Sequence, residues 1–411
     1  MSPSGTRTAQ PVSGRIEVLD VLRGMAILGT LGTNIWLFTD PLGPAVVFSG
    51  LPSTDSATDT VATVLRFLTN GKFLALLTLL FGVGLELQYQ SARRRGTPWP
   101  GRYLWRAALL FVEGVLHYLL VFEFDVLMSY AVTAMIVAWL IGRSDRAVRA
   151  WMIAMGALHV GVVGLLTVAL VAAPPSTSVT PVSFPTGSWT AQVADRIALA
   201  GLYRAEAVFI IPLGIVLFLA GSRLLRAGAL ADDDTGRRIR RGLIAVGLGV
   251  AAPVNLLTGF AGPDWFLVDR YLLPPIVAAG LLGLVTTLVY RLGAVPGLLR
   301  TGTNAVGRSA LSCYVFQNLV ASVLCYGWGL GLAARFAELR PWWVIAAWAG
   351  ICALFMALAV GWLRRFDRGP LELAWHWAYR APQRHRELPV PRRIDPSHPG
   401  SRAMPPGGRR R

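Results

Sequence analysis

The sequence predicts an all-α, polytopic membrane protein of about ten transmembrane helices with both termini cytoplasmic. Three observations carry that prediction. Hydrophobic residues make up 54% of the 411 and charged residues only 15%, where a soluble domain carries about 25% charged. The apolar residues fall in runs of about 17–23, the length a helix needs to cross the hydrocarbon core. The basic residues, which give a formal net charge of +17, cluster in short gaps on one side of the predicted topology, as cytoplasmic loops do.

The elements follow in order. Residues 1–14 are polar and Pro/Gly/Ser-rich, and are expected to be disordered. Residues 15–173 form an N-terminal transmembrane half. Its first span, Leu19–Phe38, starts with Asp20 and Arg23, three apart on one helix face and able to pair. Arg23 alternatively snorkels to the headgroups. Asn34, in the outer half, is either interhelical glue or a pocket donor. After an outer loop, Pro41–Asp59, an amphipathic stretch to Asn70 leads into a second span ending near Gln88. Lys72, the sole lysine, marks their junction; it snorkels outward or faces a pocket.

The third span is Tyr103–Val121 and the fourth Val126–Ile141. The fifth, Met152–Ala172, carries His159, read as a packed helix-contact residue. Residues 174–204 form an outer loop, Pro- and Ser/Thr-rich at its start and therefore irregular. The C-terminal transmembrane half, 205–363, holds five spans: Ala205–Leu225, Leu243–Phe260 with Pro253 and Asn255 inside it, Leu272–Tyr290, Ala310–Leu332 and Trp342–Leu363. A proline within a span frees backbone groups that a neighbour or a cavity must satisfy. Residues 364–380 read as an amphipathic surface segment, and 381–411 as a basic disordered tail.

Arg93–Arg95, Arg143, Arg146, Arg149, Arg223, Arg226, Arg237, Arg238, Arg240, Arg241, Arg364 and Arg365 all fall on the side of the termini. The opposite side holds few basic residues, such as Arg196, Arg204, Arg270, Arg335 and Arg340. This pattern excludes nucleic acid as the partner of the basic residues and makes the lipid bilayer the first one. Cys313, Cys325 and Cys352 lie inside apolar runs, an odd number without a CxxC pair, so they are read as small buried apolar residues. No HExxH or other metal motif is present. No clear internal repeat appears, which disfavours an inverted-repeat transporter.

The chemistry concentrates between Arg102 and Tyr130. This stretch is apolar enough for a bilayer, yet it carries Glu113, His117, Glu123 and Asp125. Titratable groups in a membrane segment are costly, so they raise a functional hypothesis. Glu113 lies one turn before His117 on the same face, and Asp125 opens the next span across a short turn. An acid–histidine set of this kind supplies a base near neutral pH. The alternative is a polar tie between helices.

Several stretches together resemble the YeiB-like bacterial membrane proteins. They are RIEVLDVLRGMAILGTLGTNI at Arg15–Ile35, NGKFLALLTLLFGVGLELQ at Asn70–Gln88, and EGVLHYLLVFEFDVLMSYAV at Glu113–Val132. In the second half, GRSALSCYVFQNL at Gly307–Leu319, GWGLGL at Gly327–Leu332 and RGPLELAWHWAYR at Arg368–Arg380 resemble the domain of unknown function 418. Ser312–Tyr314 departs from the Thr-Asn-Tyr more usual there. The family is similar to a wider group of transmembrane acyltransferases, which share the Asp-x-x-Arg-Gly opening seen at Asp20–Gly24.

That resemblance implies transfer of an acyl group from a CoA-type donor to a cell-envelope glycan or small-molecule acceptor, with no tightly bound cofactor. His117, Asp125 and Glu113 are then the catalytic candidates. Asp20, Arg23, Asn34, Lys72, Arg102, Arg106, Gln317 and Asn318 are the candidates for binding donor or acceptor. Arg102 and Arg106, four apart, suit donor phosphates by their forked geometry, or else only anchor the topology. Fifteen residues of helix separate Arg102 from His117, about 22 Å, so this assignment requires a tunnel. A proton-coupled transporter built on His117, Asp125, Glu113 and Lys72, and a non-catalytic scaffold, are the competing readings. Oligomeric state is not legible in the sequence.

Overall fold

A computed structural model describes residues 17–47, 56–172, 184–293 and 297–384. The predicted disordered N-terminus, nearly all of the basic tail and the first part of the 174–204 loop lie outside these residues. The described residues are helical throughout, without a strand.

The α-helices are α1 Glu17–Phe38, α2 Ala57–Thr69, α3 Lys72–Arg94, α4 Arg102–Leu120, α5 Leu127–Leu140, α6 Asp145–Ala172, α7 Trp189–Ala198, α8 Ala200–Arg204, α9 Ala207–Arg226, α10 Asp234–Ile244, α11 Ala252–Phe260, α12 Pro274–Arg291, α13 Leu298–Arg308, α14 Ala310–Cys325, α15 Leu332–Arg335, α16 Trp342–Leu363 and α17 Pro370–Arg384. Among the described residues, eight helical stretches are long and apolar enough to span a membrane: α1, α2–α3, α4, α6, α8–α9, α10–α11, α12 and α16. Two shorter apolar helices, α5 and α14, lie where the sequence predicts the fourth and ninth spans. The protein is thus a polytopic helical membrane protein.

Local chemistry sets the boundaries. Ser56 caps α2, its Oγ accepting from the Asp59 amide at 3.0 Å. Gly71 turns the chain from α2 into α3 at φ +69°, and a Cβ there would meet the Arg270 carbonyl at 2.4 Å. Before Pro253 the helix widens into a π-helical stretch, Ala245–Ala251. Proline cannot donate to its helix and its ring crowds the preceding turn, and the wider turn absorbs that conflict. The seventh span is therefore continuous from Asp234 to Phe260, and starts nine residues earlier than the sequence predicts.

The ninth predicted span ends at Cys325, not Leu332, because Tyr326 is extended and the glycine-rich turn after it folds back, with the Leu330 amide donating to the Val323 carbonyl at 2.8 Å. At 14 and 16 residues, α5 and α14 measure only about 21 and 24 Å. Both lie largely inside the bundle, so the irregular backbone at their ends is covered by protein rather than lipid. α1 is the most enclosed span, while α6 and α10–α11 face outward. α1 packs chiefly on α13, α3 on α9, and α4 on α5.

Candidate functional site

Gly114 lets α4 approach the start of α5 closely: a Cβ there would meet the Met128 amide nitrogen at 2.6 Å. That approach sets the turn 121–126 against α4 and brings Asp125 across to His117. His117 Nδ1 lies 2.8 Å from Asp125 Oδ1, and both side chains are buried. The other oxygen of Asp125 accepts from the Leu127 amide at 2.8 Å. Tyr314, on α14, donates its hydroxyl to Asp125 Oδ1 at 3.1 Å and packs its ring against the imidazole, centroids 5.1 Å apart.

The far side of the ring meets a second polar chain. Asn34 Nδ2, from α1, donates to Asn318 Oδ1 at 3.3 Å, and Asn318 Nδ2 faces His117 Nε2 at 3.4 Å. This order assigns the tautomer: Nδ1–H donates to Asp125, and the Nε2 lone pair faces the Asn318 amide. Four elements thus meet at one imidazole: α1, α4, the α4–α5 turn and α14.

The turn itself is clamped from outside. Arg196, from α7, is fully buried with Glu123, Nε to Oε1 2.8 Å, and donates also to the carbonyls of Leu119 at 3.0 Å and Val121 at 3.2 Å. Arg204, at the end of α8, donates to the Asp125 carbonyl at 2.7 Å and to the Glu123 carbonyl, and lies over the Tyr118 ring. Part of the predicted outer loop is therefore helical and covers the histidine turn.

Of the predicted site residues, His117, Asp125, Asn34 and Asn318 come together. Gln317 is buried one residue away and donates to the Ile27 carbonyl at 3.1 Å, tying α14 to α1. Glu113 does not orient His117. Among the described residues, its buried oxygens have no hydrogen-bond partner, and Asp125 holds Nδ1 instead. Lys72 is buried and turned inward, not snorkelled: its ammonium donates to the Phe67 carbonyl and lies 4.0 Å from the Phe67 ring centre.

Arg102 and Arg106 stand apart from the cluster, their guanidiniums over the rings of Tyr379 and Trp375 on α17. Asp20 lies 3.6 Å from Arg23, as the spacing predicts, and lines a separate cavity of about 470 Å³ at the ends of α1, α13 and α16. A smaller cavity of about 20 Å³, enough for one water, lies by Thr78, Tyr130 and Arg270. Neither cavity is lined by His117.

Beside the small cavity is a second polar group. Asp269 accepts from Asn70 Nδ2 and from Asn255 Nδ2, both at 2.7 Å, and Arg270 lies 3.2 Å from Glu206. Burial pushes the Asp269 carboxyl up, against the Asn70 bond and the Lys72 charge. Asn255 is buried; its Nδ2 donates to Asp269, while among the described residues its Oδ1 has no hydrogen-bond partner.

Sequence reasoning left Tyr314, Arg196 and Arg204 out of the site. Tyr314 had a signal: it lies one helical turn before Asn318, on the same face. The two arginines act through a turn distant in sequence, and spacing cannot reveal that.

Residues 224–381 match the family model described as "Protein of unknown function (DUF418)". The chain is 29% identical over 397 residues to the uncharacterized protein YeiB of Escherichia coli K12, covering 88% of this chain and 95% of that one. It is 26% identical over 393 residues to the uncharacterized protein YxaH of Bacillus subtilis 168, covering 89% and 94%. The chain thus carries a DUF418 match in its second half and is similar to YeiB and YxaH over most of its length. Residues 224–381 include Tyr314 and Asn318, while His117, Asp125 and Asn34 precede them. The two similarities run nearly the length of the proteins compared, so they span both parts of the cluster.

Proposed function

We propose that this YeiB-like protein is a cell-membrane acyltransferase, termini cytoplasmic, with His117 as the base that takes the acceptor's proton. The observation that supports this reading is the oriented imidazole. Asp125 holds Nδ1–H and Tyr314 and Leu127 hold Asp125, so Nε2 is left as the basic atom inside a membrane bundle. Transfer then follows a simple order. Nε2 accepts the proton of an acceptor hydroxyl, that oxygen attacks the thioester carbonyl, and the thiolate leaves with the proton. Asp125 steadies the imidazolium that forms. Asn318, whose amide faces Nε2, is displaced by the acceptor hydroxyl.

A second reading has an observation of its own. His117 is 2% exposed and lines neither cavity, as a purely structural tie between α1, α4 and α14 would be.

Purified protein incubated with a panel of radiolabelled acyl-CoA donors and envelope extract separates the two. The transferase reading expects label in an acceptor, with His117→Ala lowering transfer by about 10²–10⁴-fold while the melting temperature stays within a few degrees. No transfer by folded wild-type protein across the panel, or equal transfer by His117→Ala, rejects it in favour of the structural role.

A further inference from the structure

The cavity at the ends of α1, α13 and α16 is not explained by the histidine cluster. It has about 470 Å³, within the usual range for small-molecule sites, and is walled by the start of α1, by α13 and by the end of α16. Three guanidiniums reach it, from Arg300, Arg308 and Arg364, with the carboxylates of Glu17 and Asp20. The charges do not cancel locally. Glu17 is taken by Arg300 at 2.9 Å, and Asp20 lies 3.6 Å from Arg23. Among the described residues, Arg308 and Arg364 form no ion pair, and the buried Nε of Arg308 has no hydrogen-bond partner. Asn304 and Thr301 add neutral donors to the wall. Two uncommitted guanidiniums from different helices, beside amide and hydroxyl donors, match a phosphate group, which takes forked N–H donors through several oxygens.

The cavity's walls lead to the histidine. α1 runs from Asp20 in the cavity to Asn34 in the cluster, fourteen residues or about 21 Å. From Arg308 the chain continues through α14 to Tyr314 and Asn318. Between the two sites α1 and α13 touch backbone to backbone: a Cβ on Gly24 would meet the Thr303 carbonyl at 1.9 Å, and one on Gly307 the Asp20 carbonyl at 1.7 Å. A ligand held by its phosphate at Arg308 and Arg364 therefore sits at the head of the helix pair that shapes the site.

We propose that the cavity walled by Arg308, Arg364 and Asn304 is a binding site for a phosphate-bearing ligand. It deepens the transferase reading by placing the charged end of the donor there, not at Arg102 and Arg106.

Binding to the full chain in detergent micelles tests it by isothermal titration. The probes are inorganic pyrophosphate, coenzyme A, and lipid nanodiscs with and without phosphatidic acid, the last followed by displacement of labelled coenzyme A. The variants are Arg308→Gln with Arg364→Gln, and His117→Ala, each first shown to melt as wild type does. The site expects at least tenfold weaker binding in the double variant and unchanged binding in His117→Ala. Displacement by pyrophosphate supports a soluble phosphate source, and displacement only by phosphatidic acid supports a lipid headgroup. Equal affinity in wild type and the double variant, or no binding of any probe, overturns the site. The transferase reading fails separately, if pyrophosphate and coenzyme A bind but no acyl group moves.

Discussion

Arg196 and Glu123 are a buried ion pair holding a turn in place. Their side chains are 1% and 0% exposed and their closest atoms 2.6 Å apart. The same guanidinium also satisfies the Leu119 and Val121 carbonyls, which the end of α4 leaves without helical partners. Four of the arginines that the charge pattern puts opposite the basic loops have such work. Arg196 and Arg204 hold the histidine turn, Arg270 lies 3.2 Å from Glu206, and Arg340 lies 2.6 Å from Asp40. Their charges are spent inside the protein, so they do not weigh against the topology. Removing one partner of a buried pair leaves the other charge stranded, at about 3–5 kcal/mol, whereas replacing both by apolar groups is often neutral. Arg196→Met is therefore expected to lower the melting temperature in detergent sharply, and Glu123→Leu with Arg196→Met to recover much of the loss. A single variant that melts like wild type rules out the clamp. At Tyr314, removing the hydroxyl deletes one bond to Asp125, so Tyr314→Phe is expected to cost about 1 kcal/mol and to slow any His117-dependent transfer. Unchanged melting and turnover would show that Asp125 is held without it.

α1 and α13 approach as closely as their glycines allow, and that contact fixes α14 beside His117. Gly307→Ala puts a methyl group 1.7 Å from the Asp20 carbonyl. Since neither helix backbone gives way easily, a cost above the usual 1–3 kcal/mol of overpacking is expected. A thermal melt close to wild type would mean that the two helices part without penalty. At the start of α14 the orphan amides of Leu311 and Ser312 donate to Glu372 Oε1 at 2.8 and 3.3 Å, so α17 caps α14 from a distance. Glu372→Ala is expected to cost about 1 kcal/mol, as lost caps do, with faster amide exchange at Leu311 and Ser312; unchanged exchange there excludes the cap. Such contacts mark the limit of what the sequence reveals. The apolar runs locate α1, α4, α9 and α16 within a few residues, because a helix in lipid must bury every backbone group along its own axis. The histidine and Asp125 were legible because charge in oil stands out. Tyr314 joined to Asp125, Glu372 joined to α14 and Arg308 joined to a cavity were not, because each pairing crosses a long stretch of chain and depends on how helices pack.

Across the whole molecule, the side on which each loop lies depends on whether the two short helices cross. With α5 crossing, the loop carrying Arg143, Arg146 and Arg149 joins Arg93–Arg95 and Arg223 on the side of the termini, and the basic residues segregate as cytoplasmic loops do. Without it, that arginine-rich loop moves to the opposite face and the segregation breaks. At 14 residues, α5 measures about 21 Å against a core of about 30 Å. The turn 121–126 that precedes it has Phe122, Glu123 and Asp125 buried in protein, so a crossing α5 would be extended by backbone that Arg196 and Arg204 cover, not by backbone in lipid. With both short helices crossing beside the eight long ones, the chain would return to its starting side. Single cysteines at Thr97, Ser144 and Thr190, all exposed, decide the matter once Cys313, Cys325 and Cys352, all buried, are replaced by alanine. A membrane-impermeant maleimide applied to intact cells is expected to label Thr190→Cys alone, and applied to inverted vesicles to label Thr97→Cys and Ser144→Cys. Labelling of Ser144→Cys from the side opposite Thr97→Cys would mean that α5 does not cross. The His117–Asp125 pair would then sit at the base of a hairpin that enters and leaves from one face, and an acceptor for His117 would have to arrive from that face.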